Sequence, residues 1–273
     1  STMESLEKCL RNDGRVNFIN ENVKTLNHNN NSLNYITLAS GKTISGDKFL
    51  LASGANVTDL LQISKIDINT PRIFYGLGVS VLISNAKESL SKCIRTPNRG
   101  LACGLYASPF IEKNSKNKIV AGATNFISPH PTYKARIIEV QSLLENIRNQ
   151  INFKMYKSEL EKINIGWRPT SADTFPLIGP TSLKGLYIAS GTKRDGFHQA
   201  PLLSKILSSI LSGKQIDKRY TWFYPERNHI HTLTRNHAIE KSVKHLMSAS
   251  YQHGFHPGIL YTICCYELDG IPY

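Results

Sequence analysis

The pattern of hydrophobic and polar positions predicts that the chain contains two kinds of β-strand. Apolar and polar side chains alternate, or form short β-type runs, in six places: Val16–Ile19, Leu33–Leu38, Thr43–Ser45, Tyr75–Ile83, Leu101–Tyr106 and Lys118–Ala123. Such runs are typical of half-buried antiparallel strands. Two further runs, Phe49–Ala52 and Leu186–Ala189, are almost wholly apolar and lead into Ser-Gly turns, which favours buried parallel strands.

Three other stretches repeat their apolar residues at helical spacing. Residues 4–12 have the pattern of a helix that stops at Asn12-Asp13-Gly14, and Pro201–Leu211 predicts an amphipathic helix. Residues 134–152 predict a longer helix, because one face collects the apolar side chains of Ile137, Ile138, Val140, Leu143, Leu144, Ile147 and Ile151.

This order of elements predicts an α/β (α+β) fold in which the chain leaves a doubly wound domain, builds a separate sheet and returns. We assign part of the doubly wound domain to residues 1–70, an antiparallel-sheet domain to 71–165 and the return to 166–225. Residues 226–273 hold six of the nine histidines and show no β alternation. We expect them to form a C-terminal extension that contacts a partner chain.

Composition limits the kind of protein. The 273 residues carry a formal net charge of +13 without a run of five basic residues, which suits a basic solvated surface, an acidic protein partner or RNA. No apolar stretch approaches the roughly 20 residues of a membrane helix, and the first residues do not resemble a secretory signal. Five cysteines without a C-x-x-C pair are expected to be reduced, buried thiols. We therefore predict a cytoplasmic protein, and we assign no metal site.

Two segments carry the candidate chemistry. The run Lys48–Ala55 is an apolar strand ending in Ala52-Ser53-Gly54, where a ligand can approach the backbone closely, although a plain β-turn also explains it. The second segment, Gly166–Pro201, places Arg168 between Gly and Pro positions and continues through a turn and a strand into a Gly-rich loop and a helix. Such a helix start presents unpaired N–H groups to an electron-rich partner.

The second segment resembles the C-terminal signature of the D-amino-acid oxidase superfamily, which includes glycine oxidase, sarcosine oxidase and D-amino-acid dehydrogenase. It reads G-W-R-P-T-S-A-D-T-F-P-L-I-G-P from Gly166 and G-L-Y-I-A-S-G-T-K-R-D-G-F-H-Q-A-P from Gly185, and looser similarity covers residues 5–220. The resemblance implies FAD as cofactor, bound along a doubly wound domain whose flavin ring is covered by an antiparallel substrate domain. It also implies oxidation of a C–N bond of an amino acid or amine by hydride transfer to flavin N5.

The resemblance also implies roles for individual residues. Arg168 is the position that pairs with the substrate carboxylate, Tyr106 lines the substrate pocket, and Arg194 adds positive charge beside the flavin. A bridging Arg168, an ordinary strand aromatic at Tyr106 and a solvent-facing Arg194 stay open as alternatives. The backbone of Val23 is the position that meets the adenine. The remaining cofactor-binding positions are Ala52, Ser53, Gly54, Gly191, Thr192, Lys193, Arg194, Asp195, Gly196 and Phe197.

The sequence departs from the family in one respect. It has no G-x-G-x-x-G followed by an acidic residue, the segment that holds the FAD pyrophosphate and ribose. The G-x-G at Gly76 and Gly78 lies in an alternating run with no helix after it, so it is not a dinucleotide fingerprint. Three explanations stay open: a partner chain carries the fingerprint, the sequence is a fragment of a longer chain, or the protein no longer binds flavin. We expect a hetero-oligomer with a partner chain that supplies this segment.

Three functions are compatible with these features. The first is FAD-dependent oxidation of a small amino acid or amine by an enzyme that is active with its partner chain. The second is oxidation of a modified base on tRNA, which the net charge of +13 permits. The third is a non-catalytic scaffold subunit. Arg168 favours the first function over the third, because a scaffold subunit does not need a guanidinium that binds a carboxylate.

Overall fold

A computed structural model describes residues 2–29, 31–84, 90–97, 104–110 and 117–248, and within them helices and strands are mixed along the chain. The helices are α1 (Thr2–Arg11), α2 (Val57–Ile63), α3 (Ile137–Gln150), α4 (Gly196–Leu211) and α5 (Arg235–Ser248). The strands are β1 (Val23–His28), β2 (Leu33–Leu38), β3 (Thr43–Ser45), β4 (Phe49–Leu51), β5 (Ile73–Ser84), β6 (Ile94–Arg95), β7 (Tyr106–Pro109), β8 (Lys118–Gly122), β9 (Phe126–Ser128), β10 (Glu159–Ser171), β11 (Leu177–Pro180) and β12 (Leu186–Ser190).

Strands β1, β2 and β3 form a small antiparallel sheet in that order. The predicted strands at Leu33–Leu38 and Thr43–Ser45 are confirmed as β2 and β3. The strand predicted at Val16–Ile19 is wrong, because these residues are irregular and the first strand starts at Val23. Phe18 stays exposed, and the guanidinium of Arg11 in α1 lies 4.3 Å from the centre of its ring. Short apolar runs without a pairing partner do not form strands.

A second sheet has the order β11-β12-β4, and its β4 and β12 run parallel, with Phe49 opposite Leu186. The predicted parallel pair is therefore confirmed, and β12 is largely buried, whereas the prediction of a buried first strand is wrong in part because Leu50 of β4 is 39% exposed. Helix α2 follows β4 and buries Val57 and Leu61, which lie one helical turn apart. The core that joins this sheet to α2 and the first sheet consists of Leu26, Leu33, Leu51, Val57, Leu61, Ile66, Ile73, Leu177, Leu183, Leu186 and Ile188.

The largest sheet has the order β10-β5-β8-β7-β6, with β9 pairing with β5 as well. Strand β10 pairs with β5 in antiparallel fashion from Glu159 to Ser171, so it continues past residue 165. Alternate residues of β5 are buried, as the sequence pattern predicted. The sheet packs on α3, and their shared core consists of Val79, Val81, Ile83, Leu105, Ala107, Ile119, Ala121, Leu143, Ile147 and Met155. The predicted antiparallel strands Tyr75–Ile83 and Lys118–Ala123 are thus confirmed as β5 and β8. The strand predicted at Leu101–Tyr106 is wrong in its bounds, because β7 starts at Tyr106 and ends at Pro109, and residues 101–103 lie outside the described residues.

The segment after α4 packs back onto the strands before it. Helix α4 starts at Gly196, five residues before the predicted Pro201. Arg227 then inserts between neighbouring elements, where its Nη2 donates to both carboxylate oxygens of Asp173 at 2.9 Å. The ring of Tyr224 covers Gly179 so closely that an added Cβ would lie 2.7 Å from it. The start of the predicted C-terminal extension is therefore tied to the body of the protein.

Helix α5 confirms the helical spacing in the C-terminal extension, whereas residues 249–273 lie outside the described residues. Leu233, Ile239, Val243 and Met247 are all exposed. Contrary to the prediction of buried thiols, Cys9 and Cys93 are exposed free cysteines, because α1 and the β6 region lie on the surface. The other three cysteines, Cys103, Cys264 and Cys265, lie outside the described residues.

Within the described ranges no helix is both long and apolar enough to cross a membrane. The same part of the chain holds no cluster of three or more His, Cys, Asp or Glu side chains arranged for a metal ion. The cytoplasmic location stays a prediction.

Candidate active site

Arg168 lies on β10, an edge strand of the largest sheet, and glycines on the neighbouring strand β5 make room for it. In the β10–β5 pairing, Arg168 is opposite Gly76. Its guanidinium covers Gly78, where an added Cβ would lie 2.4 Å from both Nη1 and Nη2. The two glycines of the G-x-G in β5 therefore leave room for the Arg168 side chain. This explains why glycines occur in a strand, where they are otherwise disfavoured.

The partly buried guanidinium of Arg168 has only neutral acceptors in the described part of the chain. Its Nη1 donates to the backbone carbonyl of Thr124 at 3.2 Å and lies 3.4 Å from Oδ1 of Asn125. No described carboxylate forms an ion pair with it. Burial lowers the pKa of Arg168, and the Tyr106 phenol acts in the opposite direction. A partly buried cation without a counter-ion is costly, so this position suits an anionic ligand.

Tyr106 also packs on a glycine. It opens β7, and its hydroxyl would lie 2.8 Å from a Cβ added to Gly122. Two cavities share Tyr106, Ala123 and Arg168 in their walls, one of about 300 Å³ and one of about 270 Å³. The structure therefore brings together Arg168 and Tyr106, two residues that the sequence analysis singled out 62 positions apart.

The smaller cavity adds residues that the sequence analysis missed. Arg95, Thr124 and Asn125 line it together with Arg194, Arg168 and Tyr106. Arg95 ends β6 and is paired opposite Tyr106, a position that depends on strand register. Nothing in the spacing along the chain marks Arg95, because β6 has only two residues and weak alternation. Arg194 is exposed and lines the cavity from the loop before α4.

The Gly191–Phe197 segment is a tight loop that continues into the first two residues of α4. Gly191 has φ +75°, and an added Cβ would lie 3.1 Å from the carbonyl oxygen of Phe175. Lys193 has φ +51°, and its N–H donates to the carbonyl of Pro169 at 2.8 Å, which fixes the loop beside β10. Burial lowers the pKa of Lys193, and the carboxylates of Asp195 and Asp173 act against this shift.

Helix α4 starts directly from this loop. The amide of Asp195 donates to the Thr192 carbonyl at 3.0 Å, and the Gln199 amide donates to the Asp195 carbonyl at 2.8 Å. Between them, the amides of Gly196, Phe197 and His198 have no acceptor among the described residues. The loop and helix start therefore present backbone donors, as the sequence predicted, and the helix dipole adds partial positive charge there.

A third cavity, of about 600 Å³, contains other predicted cofactor positions. Val23, Ala52 and Ser53 line it, together with Tyr75 and Asp59. The Tyr75 hydroxyl donates to the Asp59 carboxylate at 2.5 Å, and burial together with this hydrogen bond raises the pKa of Tyr75.

Gly54 does not line this cavity. Its φ is +61°, and its carbonyl accepts a 2.7 Å hydrogen bond from the Ser190 hydroxyl, so it joins β4 to β12.

The residues of the third cavity fit an adenosine-like group. The hydroxyl oxygen of Ser53 is buried and has no hydrogen-bond partner among the described residues, so a ligand hydroxyl or ring nitrogen could satisfy it. Val23 and Ala52 supply apolar surface to this cavity. Among the described residues, the third cavity therefore offers an unpaired buried hydroxyl beside apolar side chains, and the Gly191–Phe197 segment offers unpaired backbone donors.

Comparison with known proteins finds one matching family and several similar proteins. The profile of the family described as FAD dependent oxidoreductase matches residues 2–210. Glycine oxidase of Pseudomonas aeruginosa is 29% identical over 176 residues, covering 63% of this chain and 43% of that protein. A D-amino acid dehydrogenase of Vibrio vulnificus is 24% identical over 212 residues, covering 78% of this chain and 48% of that protein.

Solved structures show the same fold. Iminodiacetate oxidase from Chelativorans sp. BNC1 superposes with a TM-score of 0.63 at 18% identity, covering 77% of this chain and 54% of that one. Glycine oxidase from Bacillus cereus superposes with a TM-score of 0.58 at 23% identity, covering 77% of this chain and 53% of that one. The chain thus spans about half the length of the relatives that it matches.

Proposed function

Because the chain belongs to the family of FAD-dependent oxidoreductases that includes glycine oxidase and D-amino acid dehydrogenase, we propose that it oxidises a C–N bond of an amino acid or amine. Bound FAD would supply the oxidant, accepting a hydride at N5 from the carbon next to nitrogen, and water would then hydrolyse the resulting imine. The observation that carries this proposal is the partly buried Arg168, which has no carboxylate partner in the described part of the chain.

Arg168 would bind and orient the substrate through its carboxylate. A guanidinium makes two parallel hydrogen bonds to a carboxylate, so it fixes direction as well as position. Thr124 and Asn125 accept from Nη1 on one side of the group. Gly78 has no side chain, which leaves the space that the guanidinium occupies. Tyr106, in the wall of both neighbouring cavities, would cover the bound substrate and exclude water from one side.

The cofactor would be held by two regions of this chain. Val23, Ala52 and Ser53 would contact its adenosine half in the 600 Å³ cavity, with Gly54 shaping the turn behind them. The backbone of Gly191, Thr192, Asp195, Gly196 and Phe197 would face the flavin ring, where negative charge grows during reduction. Lys193 and Arg194 in the same loop would add positive charge there.

The residues that bind the FAD pyrophosphate would come from a partner chain that carries the G-x-G-x-x-G segment. Strand β4 is an edge of the β11-β12-β4 sheet, with no pairing partner on its other side among the described residues. An open edge of a parallel pair can accept the strand of such a segment. Helix α1 offers a second contact, because its apolar residues Met3, Leu6 and Leu10 follow helical spacing and are all exposed.

Helix α5 would contribute to the same partner contact. Its apolar residues Ile239, Val243 and Met247 are exposed, and basic residues surround them. The alternative, packing on the chain's own body, already applies to the segment around Arg227. Deleting residues 235–273 keeps that ion pair, so this truncation tests α5 and the residues that follow it. We expect a folded product that no longer co-purifies with the partner, and normal co-purification would remove α5 from the proposal.

The proposal as a whole is tested by the visible absorption spectrum of the protein purified alone and together with its partner. We expect bound FAD in the joint preparation and little in the chain alone, because contacts to the pyrophosphate supply much of the binding affinity for FAD. Tight FAD binding by the chain alone would show that no partner is needed. A joint preparation that binds no FAD would contradict the assigned cofactor.

A further inference from the structure

Arg168 lies on the face of the largest sheet that is turned away from α3. The residues of β5 that join the core shared with α3 are Val79, Val81 and Ile83. Side chains alternate between the two faces of a strand, so Ser80 lies on the other face of β5. The β10–β5 pairing places three residues of β10 on that same face, namely Arg168, Gly166 and Asn164.

A row of paired residues crosses this face. Asn164 of β10 is opposite Ser80 of β5, Ser80 is opposite Gly122 of β8, and Gly122 is opposite Tyr106 of β7. Because Gly122 has no side chain, the Tyr106 hydroxyl lies over it, 2.8 Å from an added Cβ. The cavity of about 300 Å³ beside Arg168 is therefore lined by three polar side chains of one row, those of Asn164, Ser80 and Tyr106.

The free space of this cavity lies over Gly166. A Cβ added to Gly166 meets nothing within 4 Å, whereas the space over Gly78, its pairing partner, is occupied by the Arg168 guanidinium. Ser80 lies two residues beyond Gly78 along β5, which corresponds to about 7 Å. A ligand whose carboxylate is bound by Arg168 thus reaches Ser80 and Asn164 with a group a few bonds away from that carboxylate.

Ser80 and Asn164 set the chemistry of that group. Both side chains are half-buried, and neither has a hydrogen-bond partner among the described residues. Arg168 is the charged residue among those described in the wall of this cavity. A hydroxyl and a carboxamide can each donate and accept a hydrogen bond. An apolar ligand that displaces water from Ser80 and Asn164 leaves their polar atoms unpaired, which costs binding free energy.

We propose that the substrate is an amino acid whose side chain carries an uncharged hydrogen-bonding group, a hydroxyl or a carboxamide. Ser80 and Asn164 bind this group and determine specificity, while Arg168 binds the carboxylate. The inference rests on the proposed function for the position of the carboxylate. Neither Ser80 nor Asn164 belongs to the segments assigned to the cofactor.

Kinetics with amino acids of matched shape test the inference in the FAD-loaded complex. Asparagine and leucine have side chains of nearly equal size, and both enantiomers of each are measured. We expect kcat/KM to favour asparagine at least tenfold, because leucine leaves Ser80 and Asn164 without partners. The double variant Ser80→Ala, Asn164→Leu should reduce that preference at least fivefold. The matched control Ser45→Ala should not, because Ser45 is an exposed strand residue that lines none of the cavities described above.

Binding to the purified chain separates this inference from the proposed function, because Arg168, Ser80 and Asn164 all belong to this chain. Succinamate and 4-methylpentanoate have the carboxylate and the side-chain ends of asparagine and leucine without the α-amine. Isothermal titration calorimetry should show that succinamate binds at least fivefold more tightly, and the double variant should remove most of the difference. Such binding by a protein that oxidises no amine would uphold the polar subsite and reject the proposed reaction. Equal affinities for the two ligands, or flavin reduction with equal preference for asparagine and leucine, would reject the polar subsite alone.

Gly166→Val provides an independent variant, because it fills the free space of the cavity and leaves Ser80 and Asn164 in place. The added Cβ meets no atom within 4 Å, so the fold accommodates it. We expect succinamate affinity to fall at least tenfold more than acetate affinity, since acetate needs Arg168 alone. Equal losses for the two ligands would show that the space over Gly166 does not hold the side-chain end of the ligand.

Discussion

Arg168, near the start of the signature segment, and Arg227, beyond its end, differ in how their charge is compensated. Arg227 has a side chain only 8% exposed and an ion pair with Asp173, which is 1% exposed. Arg168 is also partly buried, yet it contacts only the carbonyl of Thr124 and the amide oxygen of Asn125. Among the described residues, Arg227 has a carboxylate partner and Arg168 has none.

The difference between the two arginines separates a structural ion pair from a binding position. Burial lowers the pKa of both guanidinium groups; Asp173 opposes the shift at Arg227, and only the Tyr106 phenol opposes it at Arg168. A cation that is partly desolvated without a counter-ion lowers stability, and such a cost is typical of functional sites. We therefore expect substitutions at the two arginines to affect different properties, stability at one and substrate binding at the other.

The largest effect is expected from Asp173→Ala, which leaves the buried Arg227 without its partner. Breaking a buried pair in this way costs about 3–5 kcal/mol of unfolding free energy. Chemical denaturation of the purified chain measures the change. The matched control is Glu7→Ala, which breaks the exposed pair with Arg11 and should change stability little. Equal stability losses in the two variants would show that Asp173 and Arg227 do not form the buried pair.

Arg168→Lys should affect substrate binding and spare stability. Lysine keeps the charge but cannot form the two parallel hydrogen bonds of a guanidinium, so KM for a carboxylate substrate should rise at least tenfold, about 1.4 kcal/mol. Steady-state kinetics of the FAD-loaded complex, together with denaturation of the same variant, measures both properties. If KM and turnover both stay within twofold of the parent, Arg168 is structural or the substrate has no carboxylate.

A smaller effect is expected from Gly78→Ala. The new Cβ would lie 2.4 Å from Nη1 and Nη2 of Arg168, so the guanidinium must move to a new position. Because the charge stays in the cavity, we expect KM to rise about fivefold, roughly 1 kcal/mol. Gly14→Ala is the control, since nothing lies within 4 Å of its added Cβ. A Gly78→Ala enzyme with unchanged KM would show that Arg168 need not sit over β5 to bind substrate.

Much of the fold was predictable, because most elements carry their own pattern. The parallel strands β4 and β12 are nearly continuous apolar runs, and α3 collects its apolar residues on one face, so each was recognised without its partners. Val16–Ile19 has a strand-like composition but no pairing partner, and pairing is a property of the whole sheet.

The site was predictable only where one short segment contains it. Arg168 and the Gly191–Phe197 loop lie within the signature that begins at Gly166, so sequence resemblance located them. Arg95 reaches the same cavity through the β6–β7 register, and Arg227 reaches Asp173 across 54 positions. The role of Gly76 and Gly78 likewise depends on strand pairing, because Arg168 is opposite Gly76 and its guanidinium covers Gly78. Contacts between distant segments leave no local pattern in the sequence.

The central claim is that Arg168 holds the carboxylate of an amine substrate against bound FAD. Its most direct test is anaerobic reduction of the flavin in the complex, followed as loss of the visible flavin band while amino acids are titrated. The account predicts that the band bleaches, and that Arg168→Lys shifts the substrate concentration for half-maximal bleaching upwards at least tenfold without loss of bound FAD. A flavin that no amino acid or amine reduces, or an Arg168→Lys titration that coincides with the parent, would contradict it.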